Sequence, residues 1–317
     1  MRWATYRTAG SAEDRVGLVI DDRVHGLGRG ESLLGLLGDD GERLAEAGDR
    51  AGRDPHEVLG LDEVRLRAPI PTPPSVRDFY AFEDHVATSR RARGYQMDPA
   101  WYELPVFYFS NPHGIVGPDD EVALPPGSQA LDYELEVAAV LGLGGRDIAA
   151  EDAAGHIAGF TIMNDWSARD LQRAEMALHL GPAKGKDFAT TLGPFLVTPD
   201  ELADVATERA YDLTMTASVN GKEYSRANLA SIHWSFAELF AYASRGANVA
   251  AGDVLGSGTA GTGCILELSL VHGPDAYPWL EPGDEVVLSV DRLGELRNVV
   301  TGANREIVKG SGGISPE

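Results

Sequence analysis

The chain has 317 residues, of which 43% are hydrophobic and 24% charged. That is enough for one large domain or two ordinary ones, and it excludes a disordered, collagen-like or coiled-coil chain. Its 49 acidic against 27 basic residues give a net charge of −22, which repels phosphate backbones and anionic lipid, so neither nucleic-acid binding nor membrane docking is expected. One cysteine, Cys264, excludes an intrachain disulfide and any CxxC site; with no apolar leader or long apolar run, a cytoplasmic location is expected.

Residues 15–20 and 23–27 flank Asp21-Asp22 and predict two short strands joined by a tight turn. From Glu31 to Arg53, leucines and alanines at mixed helical spacing are broken by Gly38-Asp-Asp-Gly41, which predicts two short helices. Residues 62–67 read as extended. Pro69, Pro71, Pro73 and Pro74 disfavour helix or central strand, placing a boundary near residue 70 between a small N-terminal β/α domain (1–70) and a second domain (71–317). Beyond it, extended segments are expected around 106–110, 131–141, 159–164, 195–198, 213–219, 254–256, 264–271 and 285–290. Helices are expected at 149–156, 168–178 and 234–244. Many short strands with Gly and Pro turns indicate a β-rich α+β fold.

Three places concentrate acid groups. In Leu131-Asp-Tyr-Glu-Leu-Glu-Val137, strand alternation puts Asp132, Glu134 and Glu136 on one face. Carboxylates about 7 Å apart repel by roughly 2 kcal/mol per pair at an effective dielectric near 20. Either a positive partner sits there or the face is a solvated sheet edge. In the second place, the apolar run 159–164 stops at Asp165 and a helical pattern follows, with Arg169 and Gln172 three apart on one face. Asp165 or Ser167 acting as a helix N-cap is the plainer alternative. The third is Arg77-Asp78-Phe-Tyr80-Ala-Phe-Glu-Asp84-His85, acidic, aromatic and ending in histidine. No HExxH is present. If a metal binds, the oxygen donors Asp78, Glu134, Glu136 and Asp165 point to Mg²⁺ or Ca²⁺ rather than zinc.

Gly256-Ser-Gly258-Thr-Ala-Gly261 matches a dinucleotide fingerprint in letters only, because the following run, 263–270, reads as extended and offers no helix for a pyrophosphate. A tight loop bringing backbone amides and Thr259 close to a ligand is expected instead. Glu267, between Leu266 and Leu268, reads on its own as an outward strand residue.

Taken together, Asp78-Phe-Tyr80 with His85, Asp132-Tyr-Glu134-Leu-Glu136, Asn164-Asp165-Trp-Ser-Ala-Arg169-Asp-Leu-Gln172, Lys186 and Gly256-Ser-Gly-Thr259 resemble the fumarylacetoacetate hydrolase superfamily from about residue 75 onward. The resemblance implies a rolled mixed β-sheet catalytic domain, a homodimer, and a small-molecule oxo-acid substrate. It also implies one divalent cation, Mg²⁺ or Ca²⁺ with Mn²⁺ a further option, held by Asp78, Glu134, Glu136 and Asp165. His85 is then the base that activates water, oriented by Glu267; Thr88 occupies the position where smaller members carry that glutamate. Arg169, Gln172 and Lys186 meet the oxyanion, and Tyr80, Tyr108 and Thr259 bind substrate. The spacing after Gln172 leaves Lys184 as an alternative to Lys186, and Arg91 and Arg93 are candidates for binding a substrate carboxylate.

The implied activity is hydrolysis of a carbon–carbon bond in a 1,3-dicarbonyl acid of the acylpyruvate or fumarylacetoacetate kind. Met176 and Phe107-Tyr-Phe-Ser-Asn-Pro112 depart from the prototype, so fumarylacetoacetate itself is not the expected substrate. A decarboxylase, hydratase or isomerase of 2-oxo acids shares the same parts. A noncatalytic protein with a structural Ca²⁺ is the reading from another class.

Overall fold

The computed structural model describes residues 1–92 and 94–303. Its main sheet runs in the order Glu57–Gly60, Arg23–Gly26, Arg15–Ile20, Arg2–Thr8, Thr190–Val197, Ile157–Asp165, Leu135–Leu141, Val254–Gly256, Val76–Phe79, Phe107–Ser110. Val64–Arg67 joins it through Arg2–Thr8 and Ile115–Val116 through Thr190–Val197. Most pairs are antiparallel, but Val254–Gly256 runs parallel to Val76–Phe79, so the sheet is mixed. A second sheet orders Lys222–Asn228, Thr214–Val219, Glu285–Val290, Gly294–Thr301 and Val122–Ala123. The β-rich α+β architecture expected from the sequence is the one observed.

Local chemistry explains the opening hairpin. Asp21 and Asp22 take φ of 46° and 60° between the paired ends Ile20 and Arg23, the left-handed pair that a two-residue hairpin favours. The strands before the prolines do not pack as a separate layer. Arg2–Thr8 pairs with Thr190–Val197 and so extends the same sheet. Trp3, fully buried, sits in a core cluster with Val16, Leu44, Ala47, Leu192 and Leu196, drawn from both stretches.

Leu135–Leu141 and Thr190–Val197 are buried along their whole length. Strands covered on both faces read as continuous apolar runs, which is why the pattern Leu-Glu-Val-Ala-Ala-Val-Leu loses its alternation after Glu136. No helix among the described residues is long and apolar enough to cross a membrane.

Two expectations need correcting. Residues 264–271, expected as a strand, form the helix Ile265–His272. Short apolar runs are ambiguous in period, and here an acid distant in sequence decides the outcome: Asp132 accepts hydrogen bonds from the amides of Ile265 and Leu266 at 2.7 and 3.0 Å. A helix therefore does follow the Gly256–Gly261 loop, but Asp132 already occupies its first amides, where a pyrophosphate would have to bind. The run 131–141 is likewise not one strand. It breaks at Tyr133 into Leu131–Asp132, paired with Ser167–Ala168, and Leu135–Leu141 in the main sheet. Asp132 thereby leaves the strand that carries Glu136, while it still shares the Arg169 guanidinium with Glu134.

Replacing Trp3 with alanine removes the largest side chain that joins the first strand to the central sheet. Urea denaturation is expected to show a loss of about 3–5 kcal/mol relative to the parent chain.

Candidate active site

Sheet topology gathers four acids at one end of the main sheet. Asp78 lies near the end of Val76–Phe79 and Asp165 ends Ile157–Asp165, while Glu134 and Glu136 stand at the start of Leu135–Leu141, antiparallel to it. Oxygen atoms of all four approach within 4.8 Å of one another, and all four residues are buried. Asp165 does not cap the helix Arg169–Met176, whose N-cap is Ala168. The solvated-edge alternative for the carboxylate run fails too, since Asp132 and Glu136 are fully buried and Glu134 is 5% exposed.

Close approach of the glycine loop frames this cluster. A Cβ on Gly256 would lie 2.5 Å from Asp78 Oδ1, and one on Gly258, at φ +77°, would lie 2.5 Å from the Phe79 carbonyl oxygen. At Gly258 the obstacle is backbone and φ is left-handed, so only glycine fits; at Gly256 an added Cβ would push aside the Asp78 carboxylate and the Met163 thioether. The Gly258 amide donates to Asp78 Oδ1 at 3.2 Å, and Thr259 Oγ1 lies 3.5 Å from Glu136 Oε1.

Positive charge reaches only one side of the cluster. Lys186 donates its ammonium to Glu134 and Asp165. Arg169 divides its guanidinium between Asp132 (Nε, 2.8 Å) and Glu134 (Nη2, 2.7 Å), and donates through Nη1 to Gln172 Oε1 at 3.1 Å. Tyr108 donates its hydroxyl to Asp165. Lys184 points elsewhere, to Asp187 on the surface, so Lys186 is the lysine at the site. Four carboxylates thus meet one ammonium and a shared guanidinium.

The electrostatic result is uneven. Burial, then the charge of Asp165, pushes Asp78 up to about 8. Burial, then Asp78 and Glu134, raises Glu136 well above the carboxylate range. Burial also raises Asp165, although Lys186 works against it. Burial opposes ionisation of Glu134 as well, yet Arg169 and Lys186 outweigh it and hold that carboxyl below its ordinary value. Burial, then Asp165, lifts the Tyr108 phenol well above its usual range and keeps it a neutral donor.

A hard divalent cation fits this donor set. Glu136 Oε2 and Asp165 Oδ1 are buried with no hydrogen-bond partner, a costly state for a carboxylate unless something else coordinates it. All-oxygen carboxylate donors match Mg²⁺, Ca²⁺ or Mn²⁺ chemistry.

Beside the cluster, the helix Glu83–Ala92 carries His85, whose Nδ1 lies 2.9 Å from Glu267 Oε2. Glu267 is in the first turn of Ile265–His272, not on a strand, and its Oε2 also accepts from the Thr262 amide at 2.9 Å. Tyr80 meets the His85 ring edge-on, with centroids 5.6 Å apart. His85, Tyr80, Tyr108, Arg169, Gln172, Lys186, Thr259, Asp78 and Glu134 all line one cavity of about 860 Å³.

The rest of the lining is largely apolar: Phe107 and Met176, which the sequence marked as departures from the prototype, are joined by Val106, Leu266 and Leu270, which it did not mark, with Arg90 and Arg173 among them. Arg91 is exposed and does not line the cavity; its neighbour Arg90 does. Arg93 lies outside the described residues. Asn164 was also passed over as a functional residue. Its Oδ1 accepts the Glu134 amide at 2.9 Å and pins the chain where the strand begins.

With this geometry in place, comparison with known proteins identifies the architecture. The family model for the fumarylacetoacetate (FAA) hydrolase C-terminal region matches residues 75–301. The chain belongs to the fumarylacetoacetate hydrolase family. It is 32% identical over 256 residues to a fumarylacetoacetase of Oryza sativa subsp. japonica, covering 64% of this chain and 59% of that protein. It is 36% identical over 197 residues to a mitochondrial oxaloacetate tautomerase of Homo sapiens, covering 62% and 59% respectively. The chain thus spans about six tenths of the length of these relatives. Among solved structures, a fumarylacetoacetate hydrolase of Exiguobacterium antarcticum superposes with a TM-score of 0.73 at 29% identity, covering 95% of this chain and 99% of that one.

The raised acids set a pH dependence for the metal-free protein. Asp78, at about 8, together with Glu136 and Asp165, holds protons when folded that the unfolded chain releases near pH 4. Stability from these groups is therefore present at low pH and is lost as pH rises through the window from about 4 to about 8. Glu134 acts in the opposite sense, but only below its ordinary value. In EDTA the melting temperature is expected to fall between about pH 5 and about pH 8, and excess Mg²⁺ should flatten that fall by replacing the protons.

Proposed function

We propose that the chain is a divalent-metal-dependent hydrolase that cleaves a carbon–carbon bond in a 1,3-dicarbonyl acid of the acylpyruvate type. The observation that carries this reading is the 2.9 Å His85–Glu267 contact, which provides a water-activating pair on the same cavity as the four-carboxylate centre. Asp78, Glu134, Glu136 and Asp165 would hold the ion, which when bound supplies Lewis-acid stabilisation for a 2-oxo acid and its enolate.

The chain's own groups account for the remaining steps. Glu267 accepts from Nδ1 of His85, so Nε2 is the nitrogen left to take a proton from water. The hydroxide oxygen bonds to the acyl carbonyl carbon, and the negative charge formed on that carbonyl oxygen is met by donors from Arg169, Lys186 and the Gln172 amide. Gln172 receives Arg169 on its Oε1, which leaves its amide hydrogens free to donate. The bond from the acyl carbon to the methylene carbon then breaks with its electron pair on the methylene side. His85 returns the proton to that carbon, giving a carboxylic acid and a 2-oxo acid. The apolar wall of Val106, Phe107, Met176 and Leu270 suits an apolar acyl group.

A second reading, interconversion of 2-oxo acid tautomers, is favoured by the identity with the human tautomerase. It uses the same ion and needs no attacking water. A panel of acylpyruvates, oxaloacetate and 3-oxo acids, assayed with EDTA and with Mg²⁺ restored, separates the two. Hydrolysis predicts a carboxylic acid that carries oxygen from ¹⁸O-labelled water, and a kcat about 10²–10⁴-fold lower in His85→Ala. Undiminished turnover of every responsive substrate by His85→Ala contradicts it.

A further inference from the structure

Next to the carboxylate centre the fold gathers a second set of donors with different chemistry. His85, Cys264 and Glu267 each offer one ligand atom, and these atoms lie within 4.8 Å of one another. Cys264 is fully buried, while Glu267 and His85 are 3% and 5% exposed. Two elements bring them together: Cys264 is the N-cap of Ile265–His272 with Glu267 in its first turn, and His85 comes from Glu83–Ala92. His85 lines the cavity, which gives an ion a way in.

We infer that His85, Cys264 and Glu267 form a second metal site, specific for a borderline cation of the zinc type, whose occupation blocks the His85–Glu267 pair. One nitrogen, one sulfur and one carboxylate oxygen suit zinc or cobalt and not the hard ions that four carboxylates select. Bonds of about 2.0–2.2 Å to nitrogen and oxygen at a tetrahedral angle place those two atoms roughly 3.3 Å apart. His85 Nδ1 and Glu267 Oε2 are 2.9 Å apart already. A sulfur bonded at about 2.3 Å lies roughly 3.6 Å from each, and the Cys264 sulfur lies within 4.8 Å of both. The fourth position is left for a water molecule from the cavity.

Proton accounting supplies the blocking effect. On binding, the Cys264 thiol releases its proton to solvent and the sulfur becomes a thiolate ligand. His85 then bonds the ion through Nδ1, and the proton that Nδ1 carried passes by way of cavity water to Nε2, so the imidazole stays neutral. The nitrogen proposed to deprotonate water therefore has no lone pair. The site itself stands on donor geometry, whereas its effect on turnover rests on the proposed role of His85 as base.

Both statements are tested by titrating the Mg²⁺-saturated protein with Co²⁺ and, in parallel, with Zn²⁺. A near-ultraviolet sulfur-to-cobalt charge-transfer band that saturates at one equivalent is expected, and it should vanish in Cys264→Ser. Loss of even an outer partner of a metal ligand costs about tenfold in affinity, so Cys264→Ser should need at least about tenfold more Zn²⁺ for inhibition. Co²⁺ that binds the wild-type chain without such a band, or that only displaces Mg²⁺ from the carboxylates, overturns the site without reliance on any variant. A band with unimpaired turnover keeps the ion site and overturns its blocking role together with the reading of His85 as base.

Discussion

Four carboxylates held out of water within a few ångströms of one another are the constraint on which the rest of this molecule depends. Unpaired, such charges cost far more than the net stability of a domain. The fold answers with the Lys186 ammonium and part of the Arg169 guanidinium, and with protons retained on Asp78, Glu136 and Asp165. Each is a partial answer. Two buried oxygens still lack a partner, and a hard dication satisfies them without protonation.

Much of the surrounding structure serves to keep that cluster in place. Antiparallel pairing of Leu135 with Asn164 sets the beginning of one strand against the end of another, and the Asn164 side chain fixes the Glu134 amide. Gly258 lets the loop pass where no side chain fits, and Gly256 leaves the Asp78 carboxylate its place. Asp132, a carboxylate of the same run, is diverted to the N-terminus of Ile265–His272. There it orients the helix that presents Glu267 to His85 and anchors Arg169 from the other side. One acid thereby positions both the proposed base pair and the proposed oxyanion donor.

The four clustered acids, His85, Arg169, Gln172 and Lys186 were all legible in the sequence, because acidic residues in apolar surroundings stand out by their cost and because their motifs resemble one family. The helix at Ile265–His272 was not legible. Its apolar run fits either period, and the carboxylate that caps it is more than 130 residues away. The break at Tyr133 was hidden for a similar reason: alternation in Leu-Asp-Tyr-Glu-Leu-Glu suits a single strand, whereas the two halves pair with different partners. The apolar lining of the cavity draws Val106, Phe107, Met176 and Leu270 from three separate stretches; Phe107 and Met176 stood out only as departures from the family prototype, and Val106 and Leu270 carry no local signal. The strand Arg2–Thr8, which ties the first residues to the central sheet, was likewise not marked by any turn residue before it.

The central claim is that the four acids hold one hard ion, and direct binding tests it most simply. Isothermal titration of chelator-treated protein with Mg²⁺, Ca²⁺ and Mn²⁺ should give one ion per chain. Proton release should accompany binding near neutral pH, and affinity should fall at least about tenfold in Glu136→Gln and in Asp78→Asn. A folded wild-type chain that takes up none of the three ions, or variants that bind them as tightly as the parent, would contradict the account.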